Sequence, residues 1–116
     1  MLAEVNHRLI EEALDFAREE AEQIMASPDQ LGALRTSIEA LLKEHSVPLA
    51  PVRNRIEVML ALLDAHARGD TIRRGLLREV VTALVYLRNP YDQYFDVQAA
   101  GGWDDDLEVI RAVGMP

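Results

Sequence analysis

Apolar residues return every third or fourth position near the start of the chain, at Val5, Leu9, Ala13, Phe16, Ala17, Ala21 and Ile24. That period predicts a helix from about Ala3 to Ala26, with the intervening glutamates and arginines turned to water. "SPDQ" should stop this helix and start another. Ser27 can cap, Pro28 suits the first helical position, and Gln30 completes a capping-box pattern. Leu31, Leu34, Ile38, Leu41 and Leu42 form the apolar stripe of this second helix, which should end near Glu44. "HSVPLAP" then carries two prolines three residues apart, which disfavours a continuous helix and predicts a rigid connector.

A third helix is expected to open at Pro51, burying Val52, Ile56, Met59, Leu60, Leu62 and Leu63. Gly69 should end it, and Asp70 is placed to cap the next. The fourth helix, about Thr71 to Leu87, is the most apolar. Ile72, Leu76, Leu77, Val80, Val81, Ala83, Leu84, Val85 and Leu87 leave only a narrow polar strip. Its β-branched residues would also suit a strand over Val80 to Leu87, but the three-to-four spacing favours a helix. Such a helix belongs at the centre of the molecule. A short final helix is expected from Asp104 to Val113, stopping at Gly114. The pattern therefore predicts an all-α fold: one domain over residues 1–116, a compact bundle of four longer helices plus a short C-terminal helix.

Composition narrows the function classes. The 116 residues are 49% apolar and 28% charged, enough for one proper core. No cysteine is present, which removes disulfides, thiolate chemistry and cysteine-bound zinc. Twenty acidic residues against twelve basic ones give a net charge of -8. That balance argues against nucleic acid and anionic lipid as partners; simple solubility is its first explanation and a basic protein partner the second. Acidic residues interrupt the opening apolar positions, so no signal peptide is expected, and no apolar run reaches the length of a membrane span. A cytoplasmic protein is the expectation.

Chemistry-bearing residues concentrate in "RNPYDQYFDVQAAGGWDDD", Arg88 to Asp106. The simplest reading is a structural corner. Asn89, Asp92 and Asp96 turn the chain through bonds to backbone amides, Pro90 ends a helix, and Asp104 or Asp105 caps the last one. A second reading is a divalent-cation site built from Asp92, Asp96, Asp105 and Asp106, since such ions want several oxygen ligands. A metal-dependent hydrolase would be its enzymatic form. A third is a protein-binding face. Tyr91, Tyr94 and Trp103 are the amphipathic aromatics that anchor interfaces, and Asp104 belongs to an acidic rim around them. Immunity proteins and antitoxins that neutralise basic toxins share this composition.

No catalytic set accompanies these residues. His7, His45 and His66 are dispersed, without the i, i+4 pairing of a zinc helix. Nucleophile elbow, phosphate loop and dinucleotide fingerprint are all missing from the sequence. Neither a catalytic residue nor an organic cofactor is assigned. "RRGLLR", Arg73 to Arg78, is too small a basic patch for nucleic acid, and Arg74 and Arg78 are spaced to pair with glutamates. The leading expectation is thus a non-enzymatic protein-interaction module.

The stretch "ALVYLRNPYDQYFDVQAAGGWDDDLEV", residues 83–109, resembles the YkvA-like family, a widespread domain of unknown function. In that family a hydrophobic helix ends in a tyrosine-containing segment, followed by a proline turn, two spaced aspartates, a glycine and an aspartate pair. Tyr86, Asn89, Pro90, Asp92, Asp96, Gly102, Asp105 and Asp106 match in order without a gap. Phe95 and Ala99 stand where prolines are common, and Gln93 and Trp103 also depart from the pattern. The resemblance implies a helical domain and carries no catalytic role to these aspartates. Self-association as a two-fold dimer is a separate expectation, with the first helix the best element to exchange or pack.

Overall fold

A computed structural model describes residues 2–88 and 104–113, apart from the side chains of 2–11, 13, 104–106 and 108. The chain forms α1 (Leu2–Met25), α2 (Pro28–Glu44), α3 (Ser46–Leu49), a 3-10 turn (Ala50–Val52), α4 (Arg53–Ala67), α5 (Arg74–Arg88) and α6 (Asp104–Ala112). The bundle has four longer helices and a short C-terminal one, and no strand occurs among the described residues.

Local chemistry sets most boundaries. Ser27 is extended, at φ -129 and ψ 112, and its hydroxyl accepts from the Gln30 amide at 3.3 Å, with Pro28 in the first turn. The cap forms as the sequence predicts. At the end of α4, Gly69 adopts φ 92. Its amide donates to the His66 carbonyl, while the Asp70 amide reaches back to that of Ala65. This pair of bonds is a Schellman closure, and a left-handed residue is what makes glycine suited to it.

Two expectations need correction. Asp70 does not cap the next helix. Its amide closes α4, its carboxylate meets Arg68 at 3.2 Å, and α5 begins only at Arg74. The proline connector also contains helix. Pro48 and Pro51 both fall early in short helical turns, where a missing N–H leaves no internal bond unmade. The prolines break the long helix without abolishing helical backbone.

The core follows the periodicity closely. Ala17, Ala21 and Ile24 of α1, Leu34, Ile38 and Leu42 of α2, and Ile56, Met59, Leu60 and Leu63 of α4 are buried. Phe16 departs from the expected stripe and is 58% exposed. It lies about 100° around the helix from Ala17, and the partly buried flank of α1 is instead the side of Leu14. α5 is central, touching α1, α2, α4 and α6. Every residue from Val80 to Leu87 is buried, Thr82 and Tyr86 included, so the polar strip of α5 stops at Glu79. A helix apolar on all sides is one surrounded by neighbours.

Candidate functional site

Tyr91, Asp92, Tyr94, Asp96 and Trp103 lie outside the described residues, as do the side chains of Asp104, Asp105 and Asp106. The backbone places these last three acids in the first turn of α6, beside the positive end of the helix dipole. They occupy consecutive positions, about 100° apart around the axis. Among the described residues, no three histidine, aspartate or glutamate side chains gather closely enough to hold a metal ion.

Both ends of the candidate segment are tied into the bundle. At its start, the Arg88 guanidinium at the last position of α5 meets Glu20 of α1 at 2.6 Å. At its far side, α6 buries Val109, Ile110 and Val113 in the core. Arg55 of α4 then closes the helix. Its Nε donates to the Ile110 carbonyl at 3.3 Å, and its Nη2 to those of Arg111 at 3.3 Å and Val113 at 2.6 Å. Ile110 and Arg111 lie in the last turn of α6 and Val113 just beyond it; the Ile110 carbonyl also accepts from the Val113 amide at 3.4 Å, and the cation meets the negative end of the dipole. The residue pattern offered no sign of this role, because Arg55 is more than fifty positions away from the carbonyls it binds.

The arginines are largely occupied within the chain. Arg18 pairs with Asp15, Arg53 with Glu57, and Arg68 with Asp70. Arg74 and Arg78 of α5 both meet Glu22 of α1, at 3.3 and 2.9 Å. Arg35 grips Asp64 through two bonds, Nε to Oδ1 at 2.6 Å and Nη2 to Oδ2 at 2.9 Å, and also contacts Glu39. The Arg35 hydrogen bonds hold the Asp64 carboxyl below its ordinary value, and Asp64 in turn raises Arg35. Meanwhile Glu12, Glu19, Asp29 and Glu79 stay exposed, so the acidic excess of the sequence is carried on the surface.

A cavity of about 590 Å³ opens where α1, α5 and α6 meet. Its floor includes Ala83, Val109 and Val113, all buried, and its rim includes Arg18, Arg78 and Glu79, all exposed. Thr82 lies in the wall, with a buried hydroxyl that has no hydrogen-bond partner among the described residues. Three helices build this cavity, so no local sequence pattern announces it.

No known family model, curated protein or solved structure matches the chain.

Proposed function

We propose that the protein is a non-enzymatic interaction module that presents residues 88–106 to a basic protein partner. One observation carries this reading: Arg18, Arg35, Arg53, Arg68, Arg74, Arg78 and Arg88 are paired with acids of the same chain, while Glu12, Glu19, Asp29 and Glu79 stay exposed. A surface of this kind steers a positively charged partner toward it. The helices on either side of the segment are anchored by Glu20 and Arg55, and binding residues work best on a scaffold that holds its ends. Tyr91, Tyr94 and Trp103 would supply the apolar anchors and Asp104 part of the acidic rim. An immunity or antitoxin role is one form of the same proposal, as is membership of the YkvA-like family.

The test is affinity capture from cells that express the chain, run with wild type and with a Tyr91→Ser/Tyr94→Ser/Trp103→Ser variant. The expected result is a salt-sensitive partner that the variant loses while melting at the wild-type temperature. Equal capture by both proteins, or loss of capture only together with folding, contradicts the proposal. Chelator-treated protein melted with magnesium, calcium, manganese or zinc separates the cation reading. A saturable rise abolished by Asp92→Asn would replace the interaction reading with a metal site.

A further inference from the structure

We propose that the cavity between α1, α5 and α6 is a binding site for a small uncharged molecule with an apolar body and one hydrogen-bonding oxygen, an alcohol or ketone in chemical class. Facing turns of three helices build the space. α5 contributes Arg78, Glu79 and Thr82, α6 contributes Val109 and Val113, and α1 contributes Leu14. Residues three and four apart share one face of a helix, so α5 and α6 each give a single face to the same space. At about 590 Å³ it falls in the ordinary range for small-molecule sites. None of these residues belongs to the 88–106 segment, so the site stands whether or not that segment binds a partner.

The charges at the rim decide against an ion. Arg18 meets Asp15 at 2.7 Å, and Arg78 meets Glu22 at 2.9 Å. Arg74 shares Glu22, and Glu79 completes three acids against three arginines at this corner. A rim without net charge prefers neither sign, whereas an ionic head entering it still gives up its water. The interior behind the rim is apolar. Ala83, Val109 and Val113 are buried, and Leu14 is partly so. Transfer of an apolar body from water to such a floor is favourable in proportion to the area covered.

One polar group interrupts that interior. Thr82 is 6% exposed, and its hydroxyl has no hydrogen-bond partner among the described residues. Thr36 and Ser37 of α2 show the ordinary alternative, donating to carbonyls one turn back at 3.1 and 3.0 Å. Native proteins leave few buried polar groups unsatisfied. Threonine in a helix divides between two χ1 wells, and the step between them exchanges the places of hydroxyl and methyl. The hydroxyl can thereby turn to a ligand held in the cavity. A single oxygen on an apolar body is the partner that one such donor matches.

The experiment titrates the full chain with 1-octanol, octanoate and octylamine below their solubility and aggregation limits, following melting temperature, isothermal heat and the methyl resonances of the protein. 1-Octanol should raise the melting temperature saturably. It should bind about tenfold more tightly than either ion, since neither repays the loss of its hydration at a balanced rim. Methyl shifts should concentrate at Ala83, Val109 and Val113 and spare Leu34 and Ile38 of α2, which does not line the cavity. Thr82→Val keeps the side-chain shape, should stay folded, and should weaken 1-octanol about five- to tenfold through the lost hydrogen bond. No saturable response to 1-octanol, or shifts that reach Leu34 and Ile38 equally, overturns the site. Binding of octanoate or octylamine as tight as that of 1-octanol overturns the uncharged class, and undiminished binding by folded Thr82→Val overturns the hydroxyl contact.

Discussion

α4 and α5 are each fifteen residues long, and they hold the molecule together by opposite means. α5 buries an unbroken run from Val80 to Leu87, against neighbours on every side. α4 buries a single stripe, Ile56, Met59, Leu60 and Leu63, and sends polar side chains outward to other elements. Asp64 ties it to α2 through Arg35, and Arg55 ties it to the end of α6. The difference separates two jobs. Among the described residues, α5 buries more than any other helix, and burial of this kind has no direction. The polar ties of α4 are directional: Asp64 sets its contact with the middle of α2, and Arg55 holds the end of α6.

Truncation of the α5 core should have the largest effect. Leu84 is fully buried, and Leu84→Ala should lower unfolding free energy by about 2–5 kcal/mol through lost burial and a residual cavity. Chemical denaturation checks this, and a change under about 1 kcal/mol would mean that α5 is not the centre of the core. Removal of the α4 clamp comes next. Arg55→Ala should cost about 1–2 kcal/mol, because the Ile110, Arg111 and Val113 carbonyls lose a charged donor that is itself only partly buried. Its loss should fall on α6 rather than on the whole bundle.

Thr82→Val should act in the other direction. It keeps the side-chain shape and removes a buried hydroxyl without a partner, so stability should rise by about 1 kcal/mol. A fall would show that the hydroxyl is satisfied in solution. The smallest effect belongs to Asp64→Asn. Both partners of that pair are partly open to water, so the change should stay within about 1 kcal/mol at neutral pH. Its pH dependence is more telling. The folded Asp64 carboxyl titrates below its unfolded value, so its contribution is full above the unfolded value and disappears as pH falls through the folded one. Wild type should therefore lose stability on acidification more steeply than Asp64→Asn. Parallel acid limbs would mean that the Arg35 pair does not form in solution.

The parts of this architecture legible in the sequence are those that depend on near neighbours. The Ser27 cap, the Gly69 stop and the buried stripes of α2 and α4 are set by residues within a turn or two. The start of α5 was not legible, because Asp70 has a second use at the end of α4. Long-range ties were equally hidden. Arg35 and Asp64 are 29 residues apart, and Glu20 and Arg88 are 68 apart. A helical period reveals which residues face inward, but not which surface charges meet across helices. For the candidate site, the sequence located a concentration of aspartates and aromatics, while the anchors around it emerged only from the packing of distant helices.

That anchorage is the central claim, and amide hydrogen exchange of the Arg55→Ala protein tests it most directly. With wild type as reference, exchange in residues 107–113 should accelerate at least tenfold while residues 80–87 of α5 keep their protection. Unchanged exchange in α6, or equal acceleration across both helices, would contradict the assignment of Arg55 as the local clamp that frames residues 89–103.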